Sequence, residues 1–333
     1  MIQTAVVGCA HIHTPNFVKQ MQARQDVRVK SVWDHDAARA AATAEQLGAQ
    51  TVESPEEVWS DGEVEAVVIC SETNRHFDLV APAAEAGKHL FVEKPLAAGA
   101  DEAFELAETI ERAGVRFQTG YFMRSNPVNR YLRDEITRGA FGRVTHVHVS
   151  VAHSGAMRGR FDKEWRWMAD RDQSGVGGFG DLGSHALDLL LWLLSDSVET
   201  ASATASVASA TQRYGDIDEF GEGMLRFSDD SIGTITAGWV AVANPVQLIV
   251  SGTEAHAYVL DNKLSYQQGQ GGEPFEPTDL PESLPHAFEL FFDALGGADA
   301  PLVTPREAAI RASVMEAMYA GAAKGEWVAP RLS

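Results

Sequence analysis

Over the first third of the chain, short apolar runs alternate with longer amphipathic stretches. Thr4 to Gly8, Val27 to Trp33, Ala49 to Val52, Glu65 to Cys70, His89 to Val92 and Val115 to Tyr121 read as strands. Asn16 to Arg24, Ala37 to Leu47, Phe77 to Ala86 and Asp101 to Ala113 read as helices. The His89 to Val92 run is apolar without alternation, as expected for a strand covered on both faces. Pro15 suits a first helical turn, and Gly48 and Gly87 suit helix ends. Strands and helices taking turns at this spacing predict α/β architecture, a doubly wound parallel sheet. Handedness then places the first and fourth strands side by side at the switch point. Cys9 and Cys70 would meet there as unbonded core thiols.

The pattern changes after Phe122 to Pro127, which reads as a crossing. A helix over Val128 to Arg138 ends at Gly139, and Phe141-Gly142 turns into an alternating strand, Arg143 to Val151. Such alternation suits an antiparallel sheet with one covered face. A helix over Ala186 to Leu194 follows, then strands at Ala201 to Ala208, Phe220 to Phe227, Ser231 to Val240 and Val246 to Gly252. Residues 266–285 read as a surface loop, and Pro285 to Leu295 and Pro305 to Lys324 as a terminal helix pair. The expected division is residues 1–122 as a Rossmann dinucleotide-binding domain and 123–333 as an α+β domain for substrate binding and oligomerisation. The last helices are free to pack back on the first domain.

Composition narrows the class. The 333 residues suffice for roughly two domains. No apolar run approaches the ~20 residues of a membrane span. The chain opens on a strand, so no signal peptide is expected. Two cysteines provide neither a disulfide framework nor a multi-cysteine zinc site, which makes the reducing cytoplasm the expected compartment. A net charge of −20 disfavours nucleic acid and anionic membranes as partners. An anionic ligand would have to be held by local backbone dipoles.

The candidate chemistry gathers at strand ends. His89 to Val92 stops at Glu93-Lys94-Pro95, which puts an ammonium at the carboxyl edge of the sheet, where open α/β folds bind ligands. The alternative is a solvated lysine capping the strand. The first strand runs into Gly8-Cys9-Ala10-His11-Ile12-His13 ahead of a helix, the context of a dinucleotide loop whose helix start faces a pyrophosphate. Ala10 and His13 stand at the second and third glycine positions, and His13 is bulky there. Asp34 ends the second strand, where a carboxylate accepts ribose hydroxyls and repels the 2′-phosphate of NADP; the alternative is a helix cap by Asp34 or Asp36, and the readings are compatible, since Asp36 can cap while Asp34 binds. Further on, Asp181 and His185 stand four apart, sharing a helical face, so the carboxylate can orient the imidazole. Asp181 as a plain N-cap is the alternative. The stretch from His153 to Gly180 is dense in Trp, Arg and Gly; its rings can stack on a sugar or fill a domain junction.

Taken together, Val7-Gly8-Cys9-Ala10-His11-Ile12, Asp34, the Ser71 to His76 loop and above all Glu93-Lys94-Pro95 resemble the Gfo/Idh/MocA oxidoreductases. The resemblance covers nearly the whole chain. It implies that Lys94 is the active-site lysine beside nicotinamide and substrate, and that Lys94, Asp181 and His185 form the catalytic set. Gly8, Cys9, Ala10, His11, Ile12, Asp34, Ser71, Glu72, His76 and Glu93 would bind the cofactor, NAD in preference to NADP. Glu72 stands where relatives often carry the proline of a Thr-Pro pair. Arg124, His153 and Trp167 would join Asp181 and His185 around the substrate, with Arg124 at the mouth. The second domain would be a large, mostly antiparallel sheet whose open face builds a homo-dimer or homo-tetramer.

The expected activity is hydride transfer between NAD and a secondary alcohol of a sugar, sugar derivative or cyclitol, without a metal. Either His185 or Lys94 could be the base. Two other readings share the fold: a glycosidase that oxidises its substrate transiently, and a non-catalytic sugar or dinucleotide sensor.

Overall fold

The computed structural model describes residues 1–194 and 198–333. Its first sheet contains β1 (Ile2–Val7), β2 (Val27–Trp33), β3 (Gln50–Thr51), β4 (Ala66–Ile69), β5 (His89–Val92) and β6 (Phe117–Thr119). They are ordered β3-β2-β1-β4-β5-β6, and every pairing is parallel. The order reverses between β1 and β4, as the handedness rule requires. The helices α1 (Thr14–Ala23), α2 (Ala37–Leu47), α3 (Pro55–Ser60), α4 (His76–Glu85) and α5 (Ala100–Ala113) alternate with these strands. Every residue of β4 is buried, and so is all of β5 beyond His89. The apolar runs of the sequence are therefore strands covered on both faces.

The second half contributes α6 (Pro127–Thr137), β7 (Val144–Ala152), the short α7 (Arg171–Ser174), α8 (Gly178–Leu193), β8 (Thr200–Ala208), β9 (Phe220–Phe227) and β10 (Ile232–Gly238). These are followed by β11 (Val246–Gly252), β12 (Ala255–Leu260), β13 (Lys263–Gln268), α9 (Ala287–Leu295) and α10 (Pro305–Lys324). The seven strands are ordered β13-β12-β11-β7-β10-β9-β8, antiparallel except for β7 beside β10. One face packs on α8, whose residues are almost all buried.

Two strands lie beyond the sequence reading. β12 falls between expected elements, and β13 runs into the stretch read as a loop. Between them Asp261 (φ 48°) and Asn262 (φ 64°) are both left-handed, the geometry of a two-residue hairpin turn. The Asp-Asn pair was the available signal.

α8 begins at Gly178, eight residues ahead of the expected start at Ala186. The glycines argue against helix locally, but the fold supplies caps from afar. The Phe179 amide donates to Asp218 Oδ2 at 2.9 Å, and the Gly180 amide donates to the Tyr319 hydroxyl at 2.9 Å. A Cβ at Gly178 would come within 2.5 Å of the Glu219 carbonyl oxygen, so glycine lets the helix start close to β9.

The last two helices complete the layers over the first sheet. On one side Phe288 of α9 stacks on Phe17 at 4.3 Å and meets Phe91 of β5 at 4.8 Å. On the other, Ala308, Ala309 and Ala312 of α10 join the core beneath α4 and α5. Among the described residues no helix is long and apolar enough to cross a membrane.

Candidate active site

β5 delivers Glu93 and Lys94 to the carboxyl edge of the parallel sheet. α8, packed on the second sheet, carries Asp181 and His185 to the same place, one turn apart. Lys94 Nζ donates to Asp181 Oδ1 at 2.6 Å and to the Asp181 carbonyl oxygen at 3.1 Å. The other carboxylate oxygen of Asp181 accepts from Trp239 Nε1 at 2.9 Å. Burial by itself would raise the Asp181 pKa, but the Lys94 charge and these hydrogen bonds hold it well below the usual carboxylate range.

His185 is also buried. Burial first, and then the positive charge of Lys94, hold its imidazole well below the ordinary value, so it is neutral at pH 7. Its Nδ1 has no hydrogen-bond partner. The expected Asp181–His185 pair is therefore corrected. The two residues do share a helical face, but both oxygens of Asp181 are engaged by Lys94 and Trp239. Trp239 lies just beyond β10, and nothing in its local sequence announced this role.

A cleft of about 470 Å³ opens beside this cluster. Lys94, Asp181, His185, His11 and His153 give it a polar floor, and Phe122, Phe161 and Trp165 wall it. His153 is thus among the residues lining the cleft. Arg124 is not. It is held, partly buried, in an ion-pair cluster with Asp188 of α8 (2.9 Å from Nε) and Glu307 of α10 (2.8 Å). It lines a separate groove of about 700 Å³ that includes none of Lys94, Asp181 and His185. Two carboxylates from the domain junction outcompete the cleft for its charge. Trp167 does not line this cleft, but with His11, Lys94 and Asp181 it lines a small cavity beside it. It donates Nε1 to the Ala10 carbonyl oxygen at 3.0 Å and so braces the first loop, while Trp165 takes the wall position.

The first loop fits a dinucleotide cradle. Gly8 has φ +77°, and a Cβ there would come 2.5 Å from the Ser71 side chain. The turn after β1 and the loop after β4 thus touch at the switch point. Cys9 donates its amide to Asp34 Oδ2 at 2.6 Å, and burial pushes its thiol up to about 12. Ile12 and His11 face the cleft. His11 is buried, which brings its pKa down to about 3. His13, at the third glycine position, contacts Glu93 Oε1 through Nδ1 at 2.9 Å.

His11, His13 and Glu93 bring three donor atoms within 4.8 Å of one another, the dimensions of a cation site that the sequence did not suggest. His76 does not face the cleft: its Nδ1 donates to the Pro95 and Leu96 carbonyls (3.0 and 3.2 Å) and braces the segment after Lys94 from behind. Asp34 sits at the end of β2, and its carboxylate is bonded by Arg39 through Nε (2.8 Å) and NH2 (2.7 Å). Arg39 went unread because its side chain is ordinary on a helix; Glu72, expected at the cofactor, is its second partner, accepting from NH2 at 3.1 Å.

A doubly wound nucleotide-binding sheet, with a lysine–aspartate pair and a neutral histidine where its strands end, defines a dinucleotide-dependent oxidoreductase. Residues 2–121 match the family described as "Oxidoreductase family, NAD-binding Rossmann fold", and residues 129–258 match the GFO/IDH/MocA C-terminal domain. The chain belongs to the GFO/IDH/MocA family, and it is an NAD(P)-dependent oxidoreductase of CH–OH groups.

Among relatives, scyllo-inositol 2-dehydrogenase (NAD(+)) of Bacillus subtilis is 26% identical over 265 residues, covering 78% of this chain and 73% of that protein. The 1,5-anhydro-D-fructose reductase of Ensifer adhaerens is 27% identical over 308 residues, 90% of each. In fold, the chain resembles an NAD+ complex of an inositol dehydrogenase homologue from Azotobacter vinelandii. The TM-score is 0.84 at 19% identity, over 98% of this chain and 97% of that one.

Proposed function

We propose that the protein transfers hydride between NAD(H) and a secondary hydroxyl of a sugar, sugar derivative or cyclitol. The observation that carries this reading is Lys94 Nζ held 2.6 Å from Asp181 at a cleft shared with an unpartnered, neutral His185. Gly8 to Ile12, Asp34, Ser71 and Glu72 would hold the dinucleotide. When bound, NAD supplies the hydride acceptor. The chain's own residues handle the oxygen and its proton. His185 accepts the hydroxyl proton at its free Nδ1, and the Lys94 ammonium stabilises the alkoxide that develops. Asp181, fixed by Trp239, aims the ammonium. Phe122, Phe161 and Trp165 exclude water and offer faces to sugar C–H groups.

The relatives act on inositol and anhydrofructose by name, which supports a cyclic polyol as substrate. A homo-oligomer formed through the outer face of the second sheet belongs to the same reading, since Phe220, Met224, Ile232 and Tyr258 are exposed there.

The test is a panel of cyclitols and sugars with NAD and NADP in parallel, read as reduced-nicotinamide absorbance. Turnover with at least one cyclic polyol is expected. Lys94→Met should lower kcat by about a thousandfold, as for removal of one group stabilising a developing oxyanion, while NADH still binds. Undiminished turnover in that variant would remove Lys94 from the mechanism.

A further inference from the structure

The carboxylate expected to receive the adenosine ribose is already fully engaged. Asp34 Oδ1 accepts from the Asp36 amide at 2.8 Å and from Arg39 NH2 at 2.7 Å. Its Oδ2 accepts from the Cys9 amide at 2.6 Å and from Arg39 Nε at 2.8 Å. A carboxylate offers about four acceptor positions, and all are used. A ribose diol can take two of them only if Arg39 gives them up.

Arg39 has a second partner in place. Its NH2 also donates to Glu72 Oε1 at 3.1 Å. Glu72 is buried, and its Oε2 has no hydrogen bond, the nearest cation being Arg75 Nε at 3.6 Å. His35 bridges the pair, 3.3 Å from Asp34 and 3.6 Å from Glu72. Burial would lower the Arg39 pKa, but the two carboxylates outweigh it and keep the guanidinium charged. Asp34 and Glu72 thus flank the one guanidinium of Arg39, with Arg75 farther off on the Glu72 side.

A free guanidinium beside the ribose 2′ position is the group that accommodates the 2′-phosphate of NADP. Once the ribose displaces Arg39 from Asp34, only Glu72 keeps it from being such a group. We propose that Glu72 is a cofactor-selecting residue: it receives Arg39 when the ribose takes Asp34, and so denies the guanidinium to a 2′-phosphate. This rests on the NAD(H) reading above and goes beyond it by naming the residue that sets the discrimination. Asp34 recognises the diol, and Glu72 neutralises the cation that would otherwise welcome the phosphate.

The test measures equilibrium dissociation constants of NADH and NADPH, from nicotinamide fluorescence, for the full chain. The wild-type protein should bind NADH at least about tenfold more tightly than NADPH, the scale of one uncompensated like charge at close range. Glu72→Gln should shift the NADPH/NADH ratio by about tenfold toward NADPH, again the scale of one charge. Adding Arg39→Met to Glu72→Gln should abolish that gain.

A wild-type preference for NADPH overturns the proposal, as does an unshifted ratio in Glu72→Gln or a gain that survives in the double variant. If Glu72→Gln fails to fold, as judged by its melting curve, Glu72→Thr takes its place with the same expectations. Failure of the wild-type protein to bind either nucleotide would instead strike the dehydrogenase reading itself.

Discussion

At the residue scale, the site depends on how three ionisable groups share one ammonium charge. Lys94 is held by Asp181, and its charge in turn helps keep His185 neutral. A depressed imidazole pKa leaves the base-competent form present to lower pH than usual. The pH profile of kcat/KM for alcohol oxidation should therefore stay flat through pH 6.5, where an ordinary histidine is half protonated, and fall only below it. An acid limb centred at or above 6.5 would count against His185 as the base. Lys94, Asp181 and His185 could be picked out through the family resemblance, carried above all by Glu93-Lys94-Pro95; spacing alone left Asp181 as readily an N-cap. Which of them would pair could not be read from the chain, because the competing donor, Trp239, is 58 residues from Asp181.

At the element scale, α8 is the beam between the two halves of the molecule. Its first two turns present Asp181 and His185 to the cleft. Its third places Asp188, fully buried, against Arg124 from the crossing segment and Arg311 of α10. Asp188→Asn would leave the buried Arg311 and the partly buried Arg124 with less compensating charge. The expected loss of stability is about 3 kcal/mol, as for breaking a buried pair by removing one partner, measurable as a shift in the urea midpoint. A midpoint within error of wild type would show the cluster to be solvated. The early start of α8 and the β12–β13 hairpin were the elements least legible in the chain. The first depends on caps from Asp218 and Tyr319. The second is marked only by a two-residue turn between short alternating runs.

For the whole molecule, buried neutral imidazoles predict sensitivity to acid. His11, His76 and His185 all have lowered pKa values, each chiefly through burial. Below pH 6.5 the unfolded chain takes up protons that the folded one does not. Stability is thus full above that pH and declines beneath it, by about 1.4 kcal/mol per pH unit for each such group. Asp181 and Glu93, with lowered pKa values, add their loss only further down, below the ordinary carboxylate range. Melting temperature should therefore fall between pH 7 and pH 5. A flat or rising curve over that interval would mean that these imidazoles become charged in the folded state.

The parallel sheet, its switch point, the Gly8 turn and the lysine at the end of β5 were determined by the sequence itself. Strands buried on both faces need unbroken apolar runs, and a left-handed turn needs glycine, so both requirements are written locally. Tertiary structure alone decided that Arg124 leaves the cleft for Asp188 and Glu307, that Trp167 braces the first loop, and that Asp34 and Glu72 divide Arg39 between them. Those outcomes are competitions for a few charges and donors among distant segments. Each is settled by which partner burial brings within hydrogen-bond reach.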